Sequence, residues 1–170
     1  DNGAPSDQAT KTVIVRPPEA SLGQAIIIAA GGAQSHNTLF KYSNEFTQRM
    51  YRLLRGQGFS DDAIHYLNPW YPDIDLDGHP DEDRRDYNLF DPEKELWQAF
   101  HEAGANLSPG QQFVLYLHGH ASPDHLEIMP EYKLPATQLR ELLALIPTHV
   151  SQIIILDSCY SGSFFDELQG

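Results

Sequence analysis

The sequence predicts an α/β fold built on a mostly parallel central sheet. Apolar runs of strand length recur at 25–30, 64–67, 113–117 and 153–156. Segments with apolar residues at helical spacing separate them. The first run, Ala25-Ile26-Ile27-Ile28-Ala29-Ala30, is continuous rather than alternating, as in a strand buried on both faces. Strand and helix taking turns along the chain implies parallel strands joined by right-handed crossovers.

Residues 1–23 are read as an N-terminal extension or linker and 24–170 as one domain. Val13-Ile14-Val15 is a short strand candidate stopped by Pro17-Pro18. The first strand ends at Gly31-Gly32. A helix is expected over 44–57, with Phe46, Met50, Leu53 and Leu54 on its apolar side and glycines near its end. A second strand follows at 64–67. Residues 69–92 interrupt the rhythm with acidic residues. A helix over 92–105 has Asp91 as N-cap and Pro92 in its first turn, with Leu96, Ala99, Phe100 and Ala103 facing the core and Trp97 at core-like spacing. The third strand occupies 113–117, a short extra strand 126–128, a third helix 137–146, and a fourth strand 153–156.

The chain has 170 residues, one domain's worth. Eleven Lys and Arg stand against 24 Asp and Glu, a formal net charge of −13. That field repels a phosphate backbone and an anionic membrane surface alike, so neither nucleic acid nor membrane is an expected partner. No apolar run approaches the roughly 20 residues of a membrane helix. The single cysteine, Cys159, excludes an intrachain disulfide and a cysteine-rich zinc site. It is either a small buried hydrophobe or a reactive thiol.

In parallel α/β sheets, ligand sites lie beyond the carboxyl ends of the strands. Two strand ends here carry reactive residues: the third runs into His118-Gly119-His120-Ala121, the fourth into Asp157-Ser158-Cys159-Tyr160-Ser161-Gly162. Amide hydrolysis by a thiol needs a thiolate, a proton donor for the leaving amine, and N–H donors for the oxyanion. Small residues after Cys159 let a substrate backbone come close. If the two strands are neighbours, Cys159 and His120 face each other across one crevice.

At these residues the chain resembles the caspase-like cysteine peptidases, the fold shared by caspases, legumain, gingipains and metacaspases. That family has an apolar strand ending in His-Gly, a helix, then an apolar strand ending in an acidic residue, a small residue and Cys. The resemblance runs from about Gln24 to Phe164 and looks closest to the bacterial legumain-related branch, where the opening strand ends in glycines and a loop with Asn, as in Gly31-Gly32 to Asn37. It implies a three-layer sandwich, with Cys159 attacking the scissile carbonyl of a peptide substrate and a histidine as acid and base. His118 precedes a glycine as the family's histidine does; counted from Leu115-Tyr116-Leu117, the position falls on His120, which is taken as the base with His118 as the alternate. Backbone N–H groups of Cys159 and Ala121 are the implied oxyanion donors, and no third catalytic residue is assigned. Asp157 is expected to brace the loop through backbone N–H groups. Strands beyond the cysteine strand, present in the family, are missing from this chain. The expectation is a C-terminal remainder, as a further segment or as a second chain after cleavage. A catalytically inactive caspase-like scaffold is the alternative.

The loop from Asp73 to Asp83 places Asp73, Asp75, Asp77, Asp81 and Asp83 at positions 1, 3, 5, 9 and 11, with Gly78 at 6. This matches the start of an EF-hand-type calcium loop, in which His79 supplies its backbone carbonyl at position 7. Arg84 stands where the bidentate Glu belongs, and Asp83 is its neighbouring substitute. Calcium here is structural, and its modest affinity suits an extracytoplasmic setting. A zinc hydrolase using His118, His120, Asp124 and His125 is the rival chemistry. Residues 34–43 hold Lys41 as their one base, so no preference for acidic substrates is read. His36, His65, His101 and His149 are assigned no role. Calorimetric titration with calcium should show binding at or below millimolar concentration; absence of heat there removes the metal reading.

Overall fold

A computed structural model describes residues 21–69 and 88–168. The strand read at 13–15 and the calcium loop at 73–83 lie outside these residues. In chain order the elements are β1 (Gly23–Ala29), α1 (Phe40–Gln57), β2 (Ile64–Leu67), α2 (Pro92–Ala105), β3 (Gln112–His118), β4 (Ala121–Ser122), β5 (His125–Met129), β6 (Tyr132–Pro135), α3 (Ala136–Leu143), β7 (Ser151–Asp157) and α4 (Phe165–Leu168). Four strands form one parallel sheet in the order β2-β1-β3-β7. The chain steps outward from β1 to β2, then returns to β3 on the other side of β1. That reversal makes β1/β3 the switch point at which such sheets open a crevice.

Alternation along the strands sorts the core into two layers. Ala25 and Ile27 of β1, Val114 and Tyr116 of β3, and Ile64 and Tyr66 of β2 pack with Tyr51 and Leu54 of α1. Ile26, Ile28, Leu115 and Leu117 point the other way, onto Leu96, Ala99 and Phe100 of α2 and Leu139, Leu142 and Leu143 of α3. The result is three layers, α1 over the sheet over α2 and α3. A small antiparallel sheet, β4-β5-β6, caps the carboxyl end of the second layer. It is anchored through Leu126, Ile128 and Leu134 in the core and a bond from the Gly31 N–H to the Ile128 carbonyl, 2.8 Å.

Several sequence expectations need correction. The first helix starts at Phe40, not at residue 44. Its buried stripe is Phe40, Ser43, Thr47, Tyr51 and Leu54, while Leu53 is 54 % exposed. Ser43 and Thr47 sit inside that stripe because each has a partner: Ser43 meets His118, and Thr47 meets the Tyr66 hydroxyl at 2.8 Å. Burial pushes the Tyr66 phenol up to about 12. Trp97 is not core; it stands 52 % exposed, stacked on His101 at 4.8 Å. The third helix ends at Leu143, although Ile146 is still buried. The Asp91 cap and Pro92 first turn are as expected. Glu95 also reaches back to accept from the N–H groups of Leu89 and Asp91, as in a capping box.

At the carboxyl end of the sheet, Gly119 passes against Ala30. A Cβ there would stand 2.7 Å from the Ala30 Cβ and 3.2 Å from its carbonyl carbon. The glycine after His118 is thus a packing requirement of the β1–β3 junction. Gly119→Ala should lower stability by about 1–3 kcal/mol through overpacking, measured by urea unfolding. Gly56→Ala, where an added Cβ meets nothing within 4 Å inside α1, should raise it by roughly 0.5–1 kcal/mol.

Candidate active site

The register of β3 on β7 ends with His118 opposite Asp157. His120 and Cys159 are each two residues beyond that pair. Paired strands run about 4.8 Å apart, so the two residues emerge from adjoining strand ends on the same side of the molecule. Gly119 N–H extends the contact by reaching the Asp157 carbonyl at 3.4 Å. Both His120 and Cys159 are exposed. Neither bonds the other in this structure, and such contacts often close only around a substrate.

His120 is held from the end of β1. Its Nε2 lies 3.2 Å from Asn37 Oδ1. The Asn37 amide is itself fixed, because its Nδ2 donates to the carbonyls of Gly31 at 2.8 Å and Gly32 at 2.9 Å. The amide therefore presents its oxygen to the ring, and an oxygen can only accept. Nε2 must carry a proton, which leaves Nδ1 as the basic nitrogen of the neutral ring. Both glycines have positive φ, 94° and 75°, and a Cβ on Gly31 would stand 2.7 Å from Asn37 Nδ2. The Gly-Gly turn is what lets Asn37 fold back beneath His120.

The cysteine loop is braced by Ser163. Its N–H and its hydroxyl both reach the Tyr160 carbonyl at 2.9 Å. The same hydroxyl oxygen accepts the Asp124 N–H at 2.8 Å. One serine thus folds residues 160–163 on themselves and ties them to the β4–β5 turn that follows His120. Tyr160 holds a left-handed φ of 53°, which turns the chain sharply just after Cys159. Among the described residues, the Ser158 hydroxyl beside Cys159 is buried without a hydrogen-bond partner.

His118 and His120 have opposite surroundings. His118 is 7 % exposed, with Nδ1 2.8 Å from the Ser43 hydroxyl and Nε2 4.0 Å from an Asp157 carboxylate oxygen. Burial pushes its pKa below the usual histidine value; Asp157 opposes that shift and His120 adds to it. Asp157 accepts the Tyr116 hydroxyl at 3.1 Å. Its side-chain partners are Tyr116 and His118, not the backbone N–H groups expected of it. Burial, then the Asp157 charge, raises the Tyr116 pKa. Ala121 lies in β4 with its methyl against the core, opposite Leu126.

The zinc cluster does not assemble. His118 points to Ser43 and Asp157, His120 to Asn37, and His125 Nδ1 to the Pro123 carbonyl at 3.0 Å. Among the described residues, no three His, Cys, Asp or Glu side chains converge. The calcium ligands Asp73, Asp75, Asp77, His79, Asp81 and Asp83 lie outside the described residues. Asn37, Ser43, Tyr116 and Ser163 are residues whose hydrogen-bonding roles sequence reasoning did not foresee. The signal for Ser43 was present, as a polar residue on a buried helical period; Asn37 and Ser163 act through contacts distant in sequence. No protein-family model matches the chain, and no curated protein matches it.

The lowered pKa of His118 has a defined effect on stability. The unfolded chain takes up this proton near pH 6.5, while the folded chain resists it. Stability should therefore fall as pH drops below about 6.5, because the unfolded state binds more protons there. His118→Gln should flatten that acid limb, seen as a smaller Tm loss between neutral and mildly acidic pH.

Proposed function

We propose that this protein is a cysteine endopeptidase of the caspase-like kind, with Cys159 as nucleophile and His120 as acid and base. The observation that carries the reading is the β3–β7 register, which brings the two residues out of adjoining strand ends at equal distance from the last pair. Three further features support it. The α/β sheet has its switch point at β1/β3, next to His120. Asn37 selects the ring tautomer with a free basic Nδ1. The thiol is exposed rather than packed.

In this reading His120 Nδ1 takes the Cys159 proton. The thiolate adds to the scissile carbonyl carbon, and the carbonyl π pair moves onto oxygen. Backbone N–H groups of Cys159 and Ala121 are the proposed donors to that oxyanion. As the intermediate collapses, the C–N bond breaks and the amine leaves with the proton from His120. A thioester remains. Water then gives a proton to Nδ1 and its oxygen adds to the thioester carbonyl. The C–S bond breaks, freeing the acid and restoring the dyad. Asn37 keeps Nε2 engaged throughout, so the ring shuttles its proton at one nitrogen. Structural calcium in the acidic loop belongs to the same proposal and takes no part in these steps.

The test is hydrolysis of a mixed peptide library by the whole protein, read by mass spectrometry with and without calcium, together with labelling by a peptidyl acyloxymethyl ketone. Wild-type protein should cleave and be labelled at Cys159. Cys159→Ala should lose both. His120→Ala should lose at least about a hundredfold in kcat/KM, and Asn37→Ala on the order of a hundredfold. Absence of both labelling and cleavage would favour a non-catalytic binding role.

A further inference from the structure

Among the buried titratable side chains that the dyad chemistry leaves unused, His118 lies nearest to the two strand ends. His118 lies in a sheet position where parallel strands ordinarily carry an aliphatic residue. A ring there forfeits the hydration of two polar atoms. Each neighbouring element supplies something to it. From α1 come the Ser43 hydroxyl, 2.8 Å from Nδ1, and the Phe46 ring, centred 5.1 Å away. From β7 comes the Asp157 carboxylate, 4.0 Å from Nε2. From β3 itself comes Tyr116, whose hydroxyl reaches the same Asp157 oxygen at 3.1 Å. His120, two residues on, is the other titratable group that acts on it.

The partners define the ring's state. A carboxylate oxygen only accepts, so a proton on Nε2 faces it favourably; the Ser43 hydroxyl then donates to bare Nδ1. The neutral Nε2-protonated ring satisfies both neighbours at once.

We propose that His118 is a positioning residue for the peptidase reaction: seated between Ser43 of α1 and Asp157 of β7, it sets where β7 ends and so where Cys159 stands against His120. The inference rests on the cysteine-peptidase reading above. Among the described residues, β7 pairs with β3 on one side alone. At the last pair of a ladder, cross-strand side chains do much to hold the strand end in place. His118 is the register partner of Asp157, and the Asp157 side chain is 55 % exposed. Without the imidazole beside it, that carboxylate keeps the Tyr116 hydroxyl but is free to turn toward water. Cys159 follows two residues later, so any displacement of Asp157 is passed to the sulfur with almost no chain to absorb it. A shift near 1 Å at a reacting atom is enough to cost on the order of a hundredfold in rate.

The experiment uses the whole protein and the variants His118→Leu, which fills the space without polar atoms, and His118→Gln, which restores a side-chain N–H. Iodoacetamide alkylation of Cys159 is followed against pH beside peptide cleavage. His118→Leu should slow kcat by roughly tenfold or more with KM within about twofold, and should displace the pH profile of alkylation. His118→Gln should recover most of the rate. Wild-type kcat and an unshifted alkylation profile in His118→Leu would overturn the inference, as would a loss confined to KM. If His120→Ala leaves alkylation unchanged, the peptidase reading itself has failed. If His120→Ala slows alkylation and His118→Leu does not, only the present inference has failed. Should His118→Leu not fold, the wild-type histidine 15N shifts decide: His118 protonated on Nε2 at neutral pH is expected, and an Nδ1-protonated or doubly protonated ring overturns it.

Discussion

The parallel pairing of β3 with β7 is the constraint on which the carboxyl end of this protein depends. The two strands match residue for residue from Gln112 opposite Ser151 to His118 opposite Asp157. A slip of one residue would exchange the two faces of β7 and send its core residues to the wrong layer. Ile154 and Leu156 pack against the larger core cluster, and that packing fixes the face. The same register then dictates which residues leave the two strands side by side. Core packing and the candidate chemistry are therefore set by a single geometric choice.

Two histidines separated by one glycine illustrate how sharply the end of a strand divides environments. His118 is the last residue of β3 and is enclosed by α1 and β7. His120 has left the ladder, and its ring is reached from β1 through Asn37. Between them, Gly119 fits against Ala30 where no Cβ can go. The His-Gly dipeptide that drew attention to His118 in the sequence is explained by this close approach. The glycine serves the sheet junction, and the exposed ring lies one residue beyond it.

The α/β fold class, four sheet strands and the helix over 92–105 were legible because their signals are local: apolar runs, helical spacing, a cap and a proline. The helix start at Phe40 was missed because Ser43 breaks the apolar pattern, and its burial depends on a histidine 75 positions away. The small antiparallel sheet was half seen, since β4 and β6 are too short and too polar to announce themselves. For the site, the strand-end cysteine and histidine could be read directly, as each follows an apolar run. Asn37 was visible only as a loop residue. Its orientation comes from the two carbonyls of a Gly-Gly turn, and nothing in residue type reveals that geometry. Trp97 misled because a helical period shows which side a residue shares, not whether a neighbour covers it.

The sheet is not symmetric about the strand ends that carry His120 and Cys159. Ile153 and Ile155 of β7 remain 43 % and 37 % exposed, and the outer flank of the strand meets no other strand among the described residues. β3, by contrast, is laddered on both sides. Amide exchange and local opening start at such margins and reach interior strands last. Of these two neighbouring strands β3 is held on both flanks and β7 on one among the described residues, so opening of this end of the sheet starts on the side of Cys159 and reaches His120 later.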